Sequence, residues 1–310
     1  YENDGFHLIH YRWMKTVFTL SLLLILSLTV NAQGKFDQKV MKETNVGELE
    51  KLAETYEKKM KADFEVAKAA AIQNDWIIRK ELSDGSIMQL IRLNDNGEPV
   101  YYQTNNDVSA GLIGTNAVRG GPYNLTGTGI NIGEWDGGNI RATHEQYTGR
   151  VTNNNGSSVS SHSTHVCGTL IGDGTGNAAA RGMAPGATVD GYDFSNDFAE
   201  MAAEAAGGMI LSNHSYGLIA GWSSGGGCTY WFGNTALSTT ESDIFGRYGT
   251  EAQGWDNIAN AAPFYLMVKS AGNDRNDVGA GNHKHNTTNC AASDFNDIHP
   301  QDGNSGTGFD

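Results

Sequence analysis

The 310-residue chain carries 35 acidic against 21 basic side chains, a formal net charge of −14. That surplus repels phosphate backbones and argues against a nucleic-acid partner, while 39% hydrophobic residues exclude a chain that is disordered by composition. Glycine, at 40 residues against five prolines, predicts many tight turns and exposed loops.

Residues 1–13 precede Met14 and are read as lying upstream of the true start, outside the fold. Met14 and Lys15 are followed by an uncharged run of 14 residues, Val17–Val30, and then by Asn31-Ala32-Gln33. A positive start, an apolar core and a small residue at the cut make a secretory signal over residues 14–32. The run is short of the ~20 residues a membrane span needs. The expectation is cleavage after Ala32, export to an extracellular or periplasmic space, and no stable membrane span in the mature form.

Residues 33–104 read as a small α+β unit. From Val46 to Ile72 the chain is rich in Glu, Lys and Ala, and Leu49, Leu52, Tyr56, Met60, Phe64 and Ala67 recur at steps of three or four. That is one apolar stripe on a long helix. Three β-prone runs follow, Trp76–Leu82, Ser86–Leu93 and Pro99–Gln103, separated by the turn pairs Asp84-Gly85 and Asn96-Gly97. Residues 105–123 are polar and glycine-rich, as a linker or processing region would be.

Residues 124–310 change pattern. Apolar runs at Ile130–Trp135, Ala187–Phe194, Met209–Asn213 and Phe264–Ser270 alternate with candidate helices after His162, over Phe198–Ala206 and within Glu251–Ala262. Alternation of this kind predicts an α/β parallel sheet with helices on both faces. Ligands of such sheets sit beyond the carboxyl ends of the strands, where the chain's distinctive polar residues fall. The three cysteines, Cys167, Cys228 and Cys290, leave any disulfide pairing undetermined, and without a CxxC there is no zinc spacing. The His283-Lys-His285 pair reads as solvated loop.

Four segments carry chemistry. A strand delivers Asp136 to its end, and Gly137-Gly138 turn the chain away. Ser161-His162-Ser-Thr-His165-Val-Cys-Gly-Thr169 stands at a helix start. Ser270-Ala271-Gly272-Asn273 ends the last apolar run. Ser212-Asn-His-Ser215-Tyr216-Gly217 ends another. The histidine segment resembles the His-Gly-Thr-His-Val-Ala-Gly-Thr motif of subtilisin-like serine peptidases, secreted bacterial members above all, with Ser163 in place of a glycine and Cys167 in place of an alanine. Gly182-Met-Ala-Pro-Gly186 matches a further segment of that family.

The resemblance implies roles. His162 is the general base, Asp136 orients it, and Asn273 supplies an amide to the oxyanion of the tetrahedral intermediate. His165 corresponds to a structural histidine. Ser215, Tyr216 and Gly217 resemble the segment along which substrate pairs as an added strand, and Ser270, Ala271 and Gly272 flank the same cleft. Tyr216 stands where the family has leucine. The order Asp, His, Asn is the subtilisin order. The chemistry needs no cofactor, although the resemblance makes calcium a candidate structural ion with no ligand set assigned, and the partners are protein or peptide substrates. The 33–104 unit occupies the place of the family's inhibitory propeptide.

A subtilisin-type nucleophile lies about 66 residues past the oxyanion asparagine, whereas 37 residues follow Asn273. Neither Ser293 nor Ser305 stands in a Gly-Thr-Ser-Met-Ala setting. The expectation is therefore a serine endopeptidase whose nucleophile lies beyond Asp310, with the 310 residues themselves inactive. The alternative is a secreted, non-catalytic binding or scaffold protein on the same fold.

Overall fold

The computed structural model describes residues 37–81, 87–104, 115–155, 158–225, 228–234, 237, 242–273 and 284–285. The signal segment, the Asp84-Gly85 turn, His283 and Cys290 lie outside them, as do the side chain of Cys228 and most of the stretch after Asn273.

Helix α1 spans Val46–Asn74. Asn45 caps it, its side chain accepting from the Glu48 amide at 3.2 Å, and Asp75 in the left-handed region ends it. Glu54–Lys58 and Glu57–Lys61 pair one turn apart on its exposed face; such pairs stabilise a helix by only a few tenths of a kcal/mol. Its opposite side buries Leu49, Ala67 and Ala71. Strands β1 (Arg79–Glu81), β2 (Ile87–Leu93) and β3 (Pro99–Thr104) follow, and Gly97 at φ 80° makes the turn between the last two. Within the stretch expected to link the two units, residues 115–119 form a short helix, α2, and Arg119 donates to the Gly182 carbonyl at 2.5 Å.

The second unit runs β4 (Asn131–Asp136), β5 (Val151–Asn153), α3 (Ser161–Ile171), β6 (Thr188–Asp193), α4 (Asp197–Ala206), β7 (Leu211–His214), β8 (Tyr216–Leu218), β9 (Trp222–Gly225), β10 (Cys228–Trp231), α5 (Thr250–Ala261), β11 (Leu266–Lys269) and β12 (Lys284–His285). Five strands form a parallel sheet in the order β11-β7-β4-β6-β5. Its two faces separate by strand alternation. Ile132 and Val189 pack with Cys167 and Ile171 of α3. Trp135 and Tyr192 pack on the other face with Phe198 and Met201 of α4 and Ile258 of α5. Helices cover both faces, as the alternating pattern predicts.

The two units are not separate bodies. Leu49 of α1 and Tyr102 of β3 belong to the same core as Trp135, Phe198 and Ile258. Burying each such side chain is worth roughly 1.5–3 kcal/mol. Strand β3 also joins β8, so a four-stranded antiparallel sheet, β1-β2-β3-β8, crosses from one unit into the other. A third sheet holds β12, β10 and β9.

Candidate active site

Strand β4 is the middle strand of the parallel sheet, so its carboxyl end is fixed from both sides. Asp136 ends it and is fully buried. The chain must then turn sharply. Gly138 sits at φ 150°, and a Cβ there would fall 2.7 Å from the Ser158 carbonyl oxygen. The turn lets Asn139 donate to Ser158 and receive from the Ser160 amide, at 2.9 and 2.8 Å. Ser160 is the N-cap of α3, its hydroxyl accepting from the Ser163 amide at 3.2 Å. His162, in the first turn of that helix, is thereby aimed back at β4.

The Nδ1 of His162 lies 2.9 Å from both carboxylate oxygens of Asp136. A carboxylate only accepts, so Nδ1 carries the proton and Nε2 is left as a lone-pair acceptor. Nε2 is buried and has no partner among the described residues. Asp136 Oδ1 also receives the Gly137 amide at 2.6 Å, and the Ser163 hydroxyl lies 2.9 Å from it. The same hydroxyl is 2.7 Å from the Gly138 carbonyl. Ser163 thus ties the carboxylate to the turn; the sequence marked it only as a small replacement. Two residues before Asp136, Glu134 is buried with neither oxygen partnered among the described residues. Burial and the Asp136 charge hold its carboxyl well above the usual range, which makes it a neutral acid.

The other predicted residues lie at neighbouring strand ends. Ser215 is buried and accepts from Asn213 Nδ2 at 2.8 Å. Tyr216 is fully buried and Gly217 half-buried in β8. The Ser270 amide donates to the His214 carbonyl at 3.0 Å, and its hydroxyl reaches the Tyr216 carbonyl at 3.4 Å. Ala271, Gly272 and Asn273 are exposed. His165 is exposed on α3, away from the Asp136 contact.

Behind β8 lies a buried polar network whose contacts the sequence motifs do not reveal. Tyr216 donates its hydroxyl to Asp197 Oδ2 at 2.6 Å and lies 3.2 Å from His214 Nδ1, while Ser212 Oγ is 2.7 Å from His214 Nε2. Burial pulls His214 well below its ordinary value, so it is neutral and bridges two hydroxyls. The Lys269 ammonium donates to the Tyr216 carbonyl at 2.8 Å and sits 4.0 Å from the centre of that ring. Lys269 as a whole residue is exposed at the end of β11, an outer strand of the sheet among the described residues.

Arg79 of β1 reaches this neighbourhood from the first unit, donating to the Gly137 carbonyl and to Gln89, with Asp193 at 3.7 Å. Among the described residues no group of three or more His, Cys, Asp or Glu side chains could hold a metal ion, and no helix is long and apolar enough to cross a membrane.

A family model described as the subtilase family matches residues 95–295, more than half of the chain. Comparison with curated proteins gives no match.

Proposed function

The chain belongs to the subtilase family, a family of serine peptidases, and from this we propose that it is the front part of an exported serine endopeptidase whose Asp136 and His162 are two members of its catalytic triad. One observation carries the proposal: His162 donates through Nδ1 to a buried carboxylate and leaves Nε2 unpartnered. A histidine so held can take a proton from a hydroxyl at Nε2 while Asp136 stabilises the imidazolium that forms.

In the proposed reaction a serine attacks the scissile carbonyl as its proton passes to His162 Nε2. His162 then returns that proton to the leaving amine. Asn273 donates its side-chain amide to the developing oxyanion, an effect worth ~2.7–4 kcal/mol in such sites. The substrate lies along Ser215–Gly217 as an added strand, with Ser270, Ala271 and Gly272 on its other side. The attacking serine is carried by the polypeptide beyond Asp310, so residues 1–310 alone form no acyl-enzyme. Leu266 and Val268, 61% and 46% exposed on β11, support further packing on that edge.

Residues 33–104 act as an internal inhibitor in this proposal. Support comes from β3, which pairs antiparallel with β8 along the segment proposed for substrate. Residues 14–32 direct export and are removed, so the mature N-terminus begins at Gln33 or further on.

The test is labelling by a fluorophosphonate of the protein expressed from its whole coding sequence, beside residues 1–310. The larger product takes the label at one serine and cleaves casein, while residues 1–310 do neither. A labelled serine within 1–310 would overturn the placement of the nucleophile, and an unlabelled, inactive larger product would favour a binding scaffold.

A further inference from the structure

Strands β7 and β8 follow one another along the chain but belong to different sheets. β7 pairs parallel with β11 as far as His214 and Lys269, and the Ser270 amide adds a last bond to the His214 carbonyl. After Ser215 the chain leaves that sheet, and β8 pairs antiparallel with β3. β8 is only three residues long and stands at the end of the order β1-β2-β3-β8. Its second edge carries no strand among the described residues.

The alternation of bonds in an antiparallel pair decides which groups face that second edge. Across β3 and β8 the Ile219 amide donates to the Tyr101 carbonyl at 3.2 Å. Two residues back along β8, Gly217 is the next residue whose amide and carbonyl face β3, opposite Gln103. Tyr216 therefore turns its carbonyl to the other edge, and Lys269 meets it there. The ammonium donates to that carbonyl at 2.8 Å, and the Ser270 hydroxyl stands 3.4 Å from the same oxygen. The ammonium also lies 4.0 Å from the centre of the Tyr216 ring and 4.9 Å from that of Trp255. Lys269 is an exposed residue, yet its charged end folds back and grips one residue by both carbonyl and ring. The family resemblance puts a leucine where Tyr216 stands, and a leucine offers a cation no ring. The grip therefore belongs to this chain and not to the family pattern.

We propose that Lys269 is a positioning residue of the peptidase, holding the back edge of β8 so that the Gly217 amide and carbonyl stay aligned for an extended substrate. The proposal rests on the reading of β8 as the substrate-pairing strand. A strand this short, bonded on one edge only, opens easily. Once residues 33–104 are removed, β3 leaves the front edge of β8 as well, and that edge stays empty until substrate arrives. The charge-assisted bond from Lys269 takes the place of a ladder bond on the back edge. Order supplied in advance is order the incoming substrate does not have to impose, so it appears as tighter binding.

Two measurements test this, both on the protein expressed from its whole coding sequence. Lys269→Met keeps the stem and removes the charge and the donor; Lys269→Arg keeps both; Lys269→Gln stands in where the methionine variant does not fold. Each is offered a peptide long enough to pair along Ser215–Gly217, and an N-acetylated single-residue ester with the same residue at the cleaved bond. Lys269→Met raises KM for the peptide about tenfold and leaves its kcat within about threefold. Both constants for the ester stay unchanged, and Lys269→Arg restores most of the peptide KM. Equal losses on peptide and ester, or no loss on either, overturn the proposal. The second measurement needs no catalysis. In the His162→Ala background, amide hydrogen exchange is followed at Gly217 and Ile219, and Lys269→Met speeds it about tenfold at an unchanged unfolding temperature. Unchanged exchange overturns the hold of Lys269 on β8, whatever the enzyme cleaves. Faster exchange, with neither substrate cleaved by the unaltered enzyme, overturns the peptidase reading and with it the substrate role of Lys269.

Discussion

Arg79, on the first strand of the N-terminal unit, donates to the carbonyl of Gly137, the residue that follows Asp136. The same guanidinium is 3.7 Å from Asp193, at the end of the neighbouring strand β6. One side chain therefore fastens the N-terminal unit to the ends of two strands of the parallel sheet.

Arg79→Ala removes that fastening without touching the triad. The partners are largely buried, and a hydrogen bond to a charged group is worth about 1.5–3 kcal/mol. The N-terminal unit should therefore detach more readily, by about 10- to 150-fold. The lag before peptidase activity appears after secretion of the whole protein measures this directly. Arg79→Lys restores part of the lag. An unchanged lag in Arg79→Ala would show that the contact carries no holding energy.

Ser163 stands 2.9 Å from the Asp136 carboxylate on the first turn of α3. Its single hydroxyl proton is shared between that carboxylate and the Gly138 carbonyl, so its loss loosens the hold on Asp136 while His162 keeps its own contact. Ser163→Ala should lower kcat about tenfold, the equivalent of ~1.4 kcal/mol, with KM unchanged. Steady-state kinetics on one peptide separate the two constants. A KM rise at constant kcat would place Ser163 in substrate binding instead.

What the sequence reveals about the site divides along a physical line. The Asp136-Gly137-Gly138 turn and the His162 helix are legible because each is built from neighbours in the chain, so the spacing of residue types records the geometry. The four longer parallel strands announce themselves through short runs of apolar residues interrupted by few polar ones. Strand β5, three residues long at the sheet edge, offers too short a run to detect. Strands β9 and β10 are four residues each in a glycine-rich stretch and are equally quiet. The partners of Arg79, Tyr102 and Lys269 are invisible for a different reason. Gly137 for Arg79, Leu218 for Tyr102 and Tyr216 for Lys269 each lie 50 or more residues away along the chain, and a register such as Tyr102 on Leu218 is set only when two units dock.

Buried carboxyls set an acid-side dependence of stability. Burial pushes Asp197 from 3.8 up to about 6 and Glu200 from 4.5 up to about 7. The folded chain therefore holds these protons to higher pH than the unfolded chain does. Their contribution to stability is complete below about pH 4 and is lost as pH rises to about 7. For Asp197 alone the loss is about 3 kcal/mol. Lys269, pulled down by burial to about 8, does not titrate in this window. Thermal unfolding of the chain from pH 4 to 7 should show a falling midpoint, and Asp197→Asn should flatten the fall. A midpoint that rises over this range would contradict the burial of these groups.

The central claim is that the imidazole held by Asp136 is the general base, and the most direct measurement compares two histidines on one helix. His162 contacts Asp136 at 2.9 Å, whereas His165, three residues on, is exposed. In the protein expressed from its whole coding sequence, turnover of a peptide substrate is measured for His162→Ala and His165→Ala. Removing the base of such a triad costs on the order of 10⁶-fold in kcat. His162→Ala should lose activity on that scale, and His165→Ala should stay within about tenfold of the unaltered enzyme. Small and equal losses in the two variants would show that His162 is not the base.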